Sequence, residues 1–113
     1  MNRRGEPAEE LAAAFLEREG LRILERNYRC KLGEIDLVAT SGSTTVFVEV
    51  RARASEAFGG AAASITAAKR GRIIRAARHY LARHKSEPAC RFDVVLVRGA
   101  EQRIEWLPGA FGE

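Results

Sequence analysis

The sequence predicts an α/β domain in which helices flank a mixed central β-sheet, of either the sandwich or the α+β kind. Three observations predict it: two segments with the apolar spacing of amphipathic helices, five short strand-like segments, and their order αβββαββ. The chain has 113 residues, and about 100 to 200 residues per domain leave no room for a second core. We therefore expect one domain over residues 1–113.

The first helix is predicted near the N-terminus, with Gly20 as its stop. Proline in the first turn, carboxylates beside it and an alanine-rich interior all favour a helix there. Leu11 and Phe15, joined by Ala12 and Leu16, form the expected apolar stripe.

Three strands are predicted next, over residues 21–28, 34–39 and 45–51. The second alternates polar with apolar residues, and the third is the most strand-like run in the chain. Residues 40–44 are typical of a turn, so the second and third strands are predicted to form a hairpin.

The register of this hairpin follows from its turn. If Gly42 and Ser43 form a type II′ turn, with glycine supplying the positive φ angle, the numbers of paired residues add up to 85. Asp36 then lies opposite Glu49, and the Cβ atoms of opposite residues are about 4.5–5.5 Å apart. Two carboxylates are therefore expected to meet on one face, unless the loop is one residue longer and offsets the pairing.

The second half of the chain is predicted to contain a loop, a helix and two more strands. The loop spans residues 52–63, and the helix begins at residue 64 or 66 and ends at His84. Residues 92–97 form a buried strand, and residues 104–107 form a short last strand after a glycine turn.

The basic excess of the chain is confined to one block. The formal net charge is +4, yet residues 57–86 hold seven basic residues and no acidic residue. Five of them, all in the second helix, are the candidate nucleic-acid contacts: Lys69, Arg70, Arg72, Arg75 and Arg78. Such residues bind phosphates regardless of base sequence. The alternative is an ordinary solvated helix face, although such faces usually mix both signs of charge.

Asp36, Glu49 and Arg51 are the candidate catalytic residues of the strands. Side chains alternate along a strand, so Glu49 and Arg51 share a face. Two neighbouring carboxylates repel each other, and Mg²⁺ held by both would relieve the repulsion and activate water for attack on a phosphodiester. Arg51 would add a permanent positive charge near the phosphate. The alternative is a pair of surface carboxylates held in ion pairs by Arg51, Arg53 or Lys31.

The cysteines and the termini bear on the compartment. Cys30 and Cys90 are too far apart in sequence for a CxxC site, and two cysteines form no disulfide framework. The basic N-terminus is followed by acidic residues instead of an apolar run, and no apolar stretch approaches the roughly 20 residues of a membrane span. We therefore expect free thiols, a cytoplasmic protein and no membrane partner.

Four ordered blocks carry a family resemblance. The chain resembles the uncharacterised bacterial YraN family from about Gly5 to Trp106, nearly its whole length. That family is similar to archaeal Holliday junction resolvases of the PD-(D/E)XK, restriction-endonuclease-like superfamily. The blocks are GEIDLVA (33–39), VFVEVRAR (46–53), FGGAAASIT (58–66) and CRFDVV (90–95).

The resemblance implies a restriction-endonuclease-like fold and a set of site residues. Asp36 and Glu49 match the two acidic residues of the superfamily motif, both as metal ligands. Arg51 stands where the superfamily usually has lysine, and arginine at this position can still stabilise developing negative charge. Glu9 matches a helix glutamate that adds to the metal site in resolvase-like members. Lys69 is a candidate to supply the missing amine.

Two further carboxylates are open to a role. Glu34 could support the site from outside through an ion pair with Arg51, which the hairpin register places opposite it. Glu10 would replace Glu9 if the first helix were rotated by about 100°, the angle of one residue.

The resemblance implies a metal-dependent DNA endonuclease that uses Mg²⁺ or Mn²⁺ to hydrolyse phosphodiester bonds in branched or structured DNA during repair or recombination. It also leaves room for a homodimer, since resolvases act as symmetric dimers on a two-fold substrate. The alternative is a non-catalytic nucleic-acid-binding module that has lost the chemistry through Arg51. A third hypothesis is a scaffold whose basic helix binds an acidic protein.

Overall fold

The computed structural model describes residues 6–53, 65–84 and 89–112. The predicted order αβββαββ is confirmed, whereas most of the predicted loop over residues 52–63 lies outside the described residues, as does most of the FGGAAASIT block. Neither described helix is long and apolar enough to cross a membrane. The elements are α1 (Glu6–Arg18), β1 (Arg22–Cys30), β2 (Gly33–Ser41), β3 (Thr44–Arg53), α2 (Ala67–Arg83), β4 (Cys90–Arg98) and β5 (Arg103–Phe111).

The five strands form one mixed sheet in the order β1-β2-β3-β4-β5. The β1–β2, β2–β3 and β4–β5 pairs are antiparallel, and the β3–β4 pair is parallel. A parallel pair needs a crossover connection, and α2 lies in the connection between β3 and β4. This mixed sheet with a helix on each face is compatible with a restriction-endonuclease-like fold.

Helix α1 covers one face of the sheet. Its fully buried residues are Ala12, Ala13 and Leu16, whereas Leu11 and Phe15 are only half-buried. The apolar stripe is therefore rotated towards the alanines relative to the prediction. Alanine at the contact lets the helix backbone lie close to the strands, because there is no long side chain to hold it away.

Helix α2 covers the other face, where Phe47 of β3 points. Thr66 caps its N-terminus by accepting a hydrogen bond from the Lys69 backbone N–H, at 3.1 Å. Ile73, Ala76, Ala77 and Tyr80 of this helix are buried, and Tyr80 packs edge-on against the Phe47 ring. The opposite side of α2 is left to its basic residues.

The predicted register of the β2–β3 hairpin is confirmed over five residue pairs, from Ser41 opposite Thr44 to Leu37 opposite Val48. Gly42 has a φ of 61°, as the first central position of a type II′ turn requires. The paired ladder stops at Leu37, so Asp36 lies just beyond the last pair of residues.

Strand β5 is longer than predicted because a buried aspartate on β4 holds it. Asp93 is fully buried and accepts hydrogen bonds from Trp106 Nε1 and Gly109 N, both at 2.9 Å. Arg91 donates two more to the same carboxylate, at 3.0 and 3.2 Å. A carboxylate that accepts four hydrogen bonds is compensated for the water it has lost. Its role is to hold β5 at the shift in register beside Phe92.

A glycine sets the distance between β2 and α2. A Cβ atom on Gly33 would lie 2.8 Å from the backbone oxygen of Arg72, closer than such atoms approach. The glycine that opens the GEIDLVA block therefore permits a backbone-to-backbone contact between the sheet and the helix.

We expect Gly33→Ala to destabilise the protein by about 1–3 kcal/mol, because the added methyl group must push the helix backbone away from the strand. The measurement is urea-induced unfolding followed by circular dichroism. An unchanged unfolding midpoint would show that the contact is not tight.

Gly71→Ala is the matched control. A Cβ there would meet only the tip of the Arg75 side chain, at 3.3 Å, and this tip is free to move. Alanine favours a helix interior over glycine by about 1 kcal/mol, so this variant should be as stable as the parent or more stable.

Candidate active site

Asp36 lies where β2 separates from β3. Its Oδ2 atom accepts a hydrogen bond from the backbone N–H of Val50, at 2.8 Å. The carboxylate thus takes a β3 N–H that the ladder no longer pairs, and this bond fixes the side chain at the gap between the strands.

Glu49 lies on β3, on the face that α2 covers. Its side chain is only 4% exposed, and Lys69 Nζ of α2 lies 3.1 Å from its Oε2 atom. Arg51 NH1 lies 3.9 Å from the same oxygen. The lysine therefore makes the close ion pair, and the arginine on the same strand lies at the outer limit of one.

The two acidic side chains lie next to each other. Each is among the groups that shift the pKa of the other, so the structure brings together the two carboxyl groups that the hairpin register predicts to meet. Burial raises the pKa of Glu49 to about 7, with the negative charge of Asp36 as the next cause and Lys69 opposing both. Burial also raises the pKa of Asp36, against the lowering effect of the Val50 N–H. The pair therefore holds a proton more readily than isolated carboxyls do.

Glu9 is not part of this pair in the structure. It lies on α1, which packs on the face of the sheet opposite α2. It is not among the groups that shift the pKa of Asp36 or Glu49. Its neighbour Glu10 is exposed and lies 4.0 Å from Arg26, so it is not in the pair either.

The expected ion pair between Glu34 and Arg51 is not formed. Glu34 instead lies 3.0 Å from Arg29, the residue directly opposite it on β1. The reason is that β1 and β2 remain paired at this end of the sheet, whereas the β2–β3 ladder has already ended. The negative charge of Glu34 still contributes to the raised pKa of Asp36.

The basic residues of α2 lie away from the core. Arg72, Arg75 and Arg78 are exposed, and Lys69 and Arg70 are partly exposed. The first turn of the helix contains no acidic residue. Lys69 is the member of this set that turns towards the carboxyl pair, so the basic surface and the acidic pair meet at that residue.

The donor set of the pair suits a hard divalent cation. Mg²⁺ is commonly held by one or two carboxylates, with water and substrate phosphate completing its coordination. Asp36 and Glu49 offer two such groups whose repulsion a cation would relieve. Among the described residues, no three His, Cys, Asp or Glu side chains form a group that could hold a metal ion, so two protein ligands are what this part of the chain provides.

Comparison with known proteins places the chain in a family. The model of the uncharacterised protein family UPF0102 matches residues 8–97. This chain belongs to the UPF0102 family. The predicted membership of the YraN family, which is UPF0102, is confirmed.

Relatives in this UPF0102 family match nearly the whole chain. A UPF0102 protein of Nitrosomonas europaea is 59% identical over 97% of this chain and 94% of its own length. One of Methylobacillus flagellatus is 53% identical over 98% of both chains. One of Ralstonia nicotianae is 55% identical over 96% of this chain and 85% of its own. None of these names states an activity.

We expect this UPF0102 protein to lose stability as pH rises from about 5 to 8 in the absence of divalent cations, relative to Glu49→Gln. The pKa of Glu49 is higher in the folded state than its ordinary value of 4.5. Folding therefore favours the protonated carboxyl, and this contribution disappears as pH rises through about 7. The resulting loss in free energy of unfolding, relative to Glu49→Gln, is at most about 3 kcal/mol.

The measurement is urea unfolding of both proteins at pH 5, 6, 7 and 8 in EDTA. Glu101→Gln, which removes an exposed carboxylate from the turn between β4 and β5, is the control and should follow the parent. A stability difference between parent and Glu49→Gln that stays constant with pH would contradict the assignment.

Proposed function

We propose that this UPF0102 protein is a metal-dependent endonuclease that hydrolyses phosphodiester bonds in DNA. The observation that carries the proposal is the Asp36–Glu49 pair with the Lys69 ammonium 3.1 Å from it, at one end of a helix face rich in arginine. Carboxylates that repel each other beside exposed cations suit a site where a divalent cation and a phosphate bind together.

Asp36 and Glu49 are the residues that would hold Mg²⁺ or Mn²⁺. When bound, the cation would supply charge stabilisation to the phosphate and lower the pKa of water. The hydrogen bond from Val50 keeps Asp36 in one orientation, and burial does the same for Glu49. The protein thus provides two fixed oxygen donors before any ligand arrives.

Lys69 and Arg51 have different parts in this proposal. Lys69 is partly exposed and held at the pair, so its ammonium is placed to orient water or to stabilise negative charge that develops on the phosphate. Arg51 is farther from Glu49 and cannot act as a base, because arginine keeps its proton in proteins. It adds positive charge at the edge of the site.

The substrate class follows from charge. The exposed arginines of α2 favour binding to a phosphate backbone, which gives affinity without base specificity. The resemblance to junction resolvases favours branched or structured DNA and a role in repair or recombination. Glu9 lies on the helix that packs on the other face of the sheet, so the proposed site binds the cation through Asp36 and Glu49 without it.

We expect the protein to cut labelled branched, flapped, single-stranded or duplex DNA in Mg²⁺ or Mn²⁺, and Asp36→Asn and Glu49→Gln to abolish cutting. Both substitutions keep the size of the side chain while removing the negative charge that binds the cation. The assay is gel separation of the products, with Glu101→Gln as the control.

Binding of the same DNAs, measured by fluorescence anisotropy in EDTA, separates the proposal from its alternative. Binding without cleavage in either metal would favour a nucleic-acid-binding module that has lost its chemistry. Neither binding nor cleavage would leave the acidic-protein scaffold as the remaining hypothesis.

Lys69→Met should lower the cleavage rate about 100-fold while DNA affinity falls far less, because one charge that stabilises the reaction is lost. Arg51→Lys should keep or raise the rate, since an amine then also stands on β3. Rates at saturating DNA test both variants, with Arg18→Met, at the exposed end of α1 on the other face of the sheet, as the control. Equal rates for Lys69→Met and the parent would remove Lys69 from the chemistry.

A further inference from the structure

A groove of about 310 Å³ opens between the end of the β1–β2 hairpin and the first half of α2, with Lys69 in its wall. Its walls include Arg29 and Cys30 of β1, Gly33 at the start of β2, and Lys69 and Arg72 of α2. This volume is at the lower end of the range for small-ligand sites. The groove is thus large enough for one nucleotide-sized segment of a chain.

The charge of this groove favours an anion. Among the described residues that line it, Glu34 is the one acidic residue, and it is paired with Arg29 at 3.0 Å. Lys69 is paired with Glu49, which lies outside the groove. Arg72 is exposed and has no carboxylate partner within the part of the chain that the structure describes. A bound phosphate would therefore find a guanidinium that no described carboxylate has neutralised.

The groove and the carboxyl pair are joined through one residue. Lys69 lines the groove, and its ammonium contacts Glu49. A DNA strand with one phosphate at the Asp36–Glu49 pair would therefore run past Lys69 into the groove. The close contact of Gly33 with the Arg72 backbone fixes the hairpin against the helix and keeps the two walls together.

We propose that this groove is a phosphate subsite, in which Arg72 binds the backbone phosphate next to the one held at the Asp36–Glu49 pair. This inference rests on the proposed function. The inference gives the bound substrate a direction. The DNA strand continues from the carboxyl pair towards the tip of the β1–β2 hairpin, and the substrate extends at least one nucleotide on that side.

The two cysteines of the chain allow a test on the unaltered protein. Cys30 is partly buried and lines the groove. Cys90 is exposed at the start of β4, opposite Thr45, at the other end of β3 from Arg51. A DNA strand in the groove would cover Cys30 and leave Cys90 accessible to solvent.

The experiment measures the alkylation rate of each cysteine by iodoacetamide, with mass spectrometry of the labelled peptides, in EDTA and with or without saturating DNA. We expect bound DNA to slow the alkylation of Cys30 at least about tenfold and to change the alkylation rate of Cys90 less than twofold. Equal rates at Cys30 with and without DNA, while anisotropy shows that DNA is bound, would overturn the subsite. Equal slowing of both cysteines would overturn it as well.

A matched pair of variants assigns the contact to Arg72. At saturating DNA, Arg72→Gln should lose most of the protection of Cys30. The salt dependence of its DNA affinity should also fall by the amount expected for the loss of about one phosphate contact. Arg75→Gln, one turn further along and outside the groove wall, should retain the protection. Protection that survives in Arg72→Gln would overturn the role of that residue.

Cleavage and binding assays keep the two proposals apart. DNA that is cut by the parent but leaves Cys30 unprotected refutes the subsite and leaves the endonuclease standing. Absence of both binding and cleavage refutes the endonuclease, and the subsite falls with it.

Discussion

The constraint on which the site depends is the placement of two carboxyl groups side by side where water is scarce. Ionising both at once is unfavourable, because each charge opposes the other and neither is well hydrated. Three groups reduce this cost: the Val50 N–H, the Lys69 ammonium and the proton that the pair retains more readily than usual. A site that pays for such an arrangement in stability is well suited to a positively charged ligand.

The fold supplies this arrangement through an interruption of its own sheet. The β2–β3 ladder ends at Leu37, and the gap that follows gives Asp36 a backbone N–H to accept. On the helix side, Gly33 lets α2 approach until its backbone touches the strand, and the capped first turn then presents Lys69 to Glu49. The sheet provides the acids, and the helix provides the cation.

Much of the fold and half of the site could be predicted from the sequence. The order of elements and the hairpin register depend on local patterns, since alternation and one turn glycine determine them. The distance between Lys69 and Glu49 could not be predicted, because it depends on how closely α2 packs on β2. The predicted ion pair of Glu34 with Arg51 was wrong for a related reason. The turn sets the register of the β2–β3 ladder but does not reveal the residue at which the ladder ends. The glycine of GEIDLVA was the available signal for the close helix contact.

Two buried acids in this chain show why burial alone does not identify a functional residue. Asp93 is more buried than Glu49, yet four hydrogen bonds from Arg91, Trp106 and Gly109 satisfy its oxygens, and it holds two strands together. Glu49 has one close cation on one oxygen and a repelling acid beside it. A satisfied carboxylate has little to gain from a ligand. A carboxylate that is repelled by a neighbouring acid is stabilised when a cation binds. We therefore expect a chemical role for Glu49 and a structural role for Asp93.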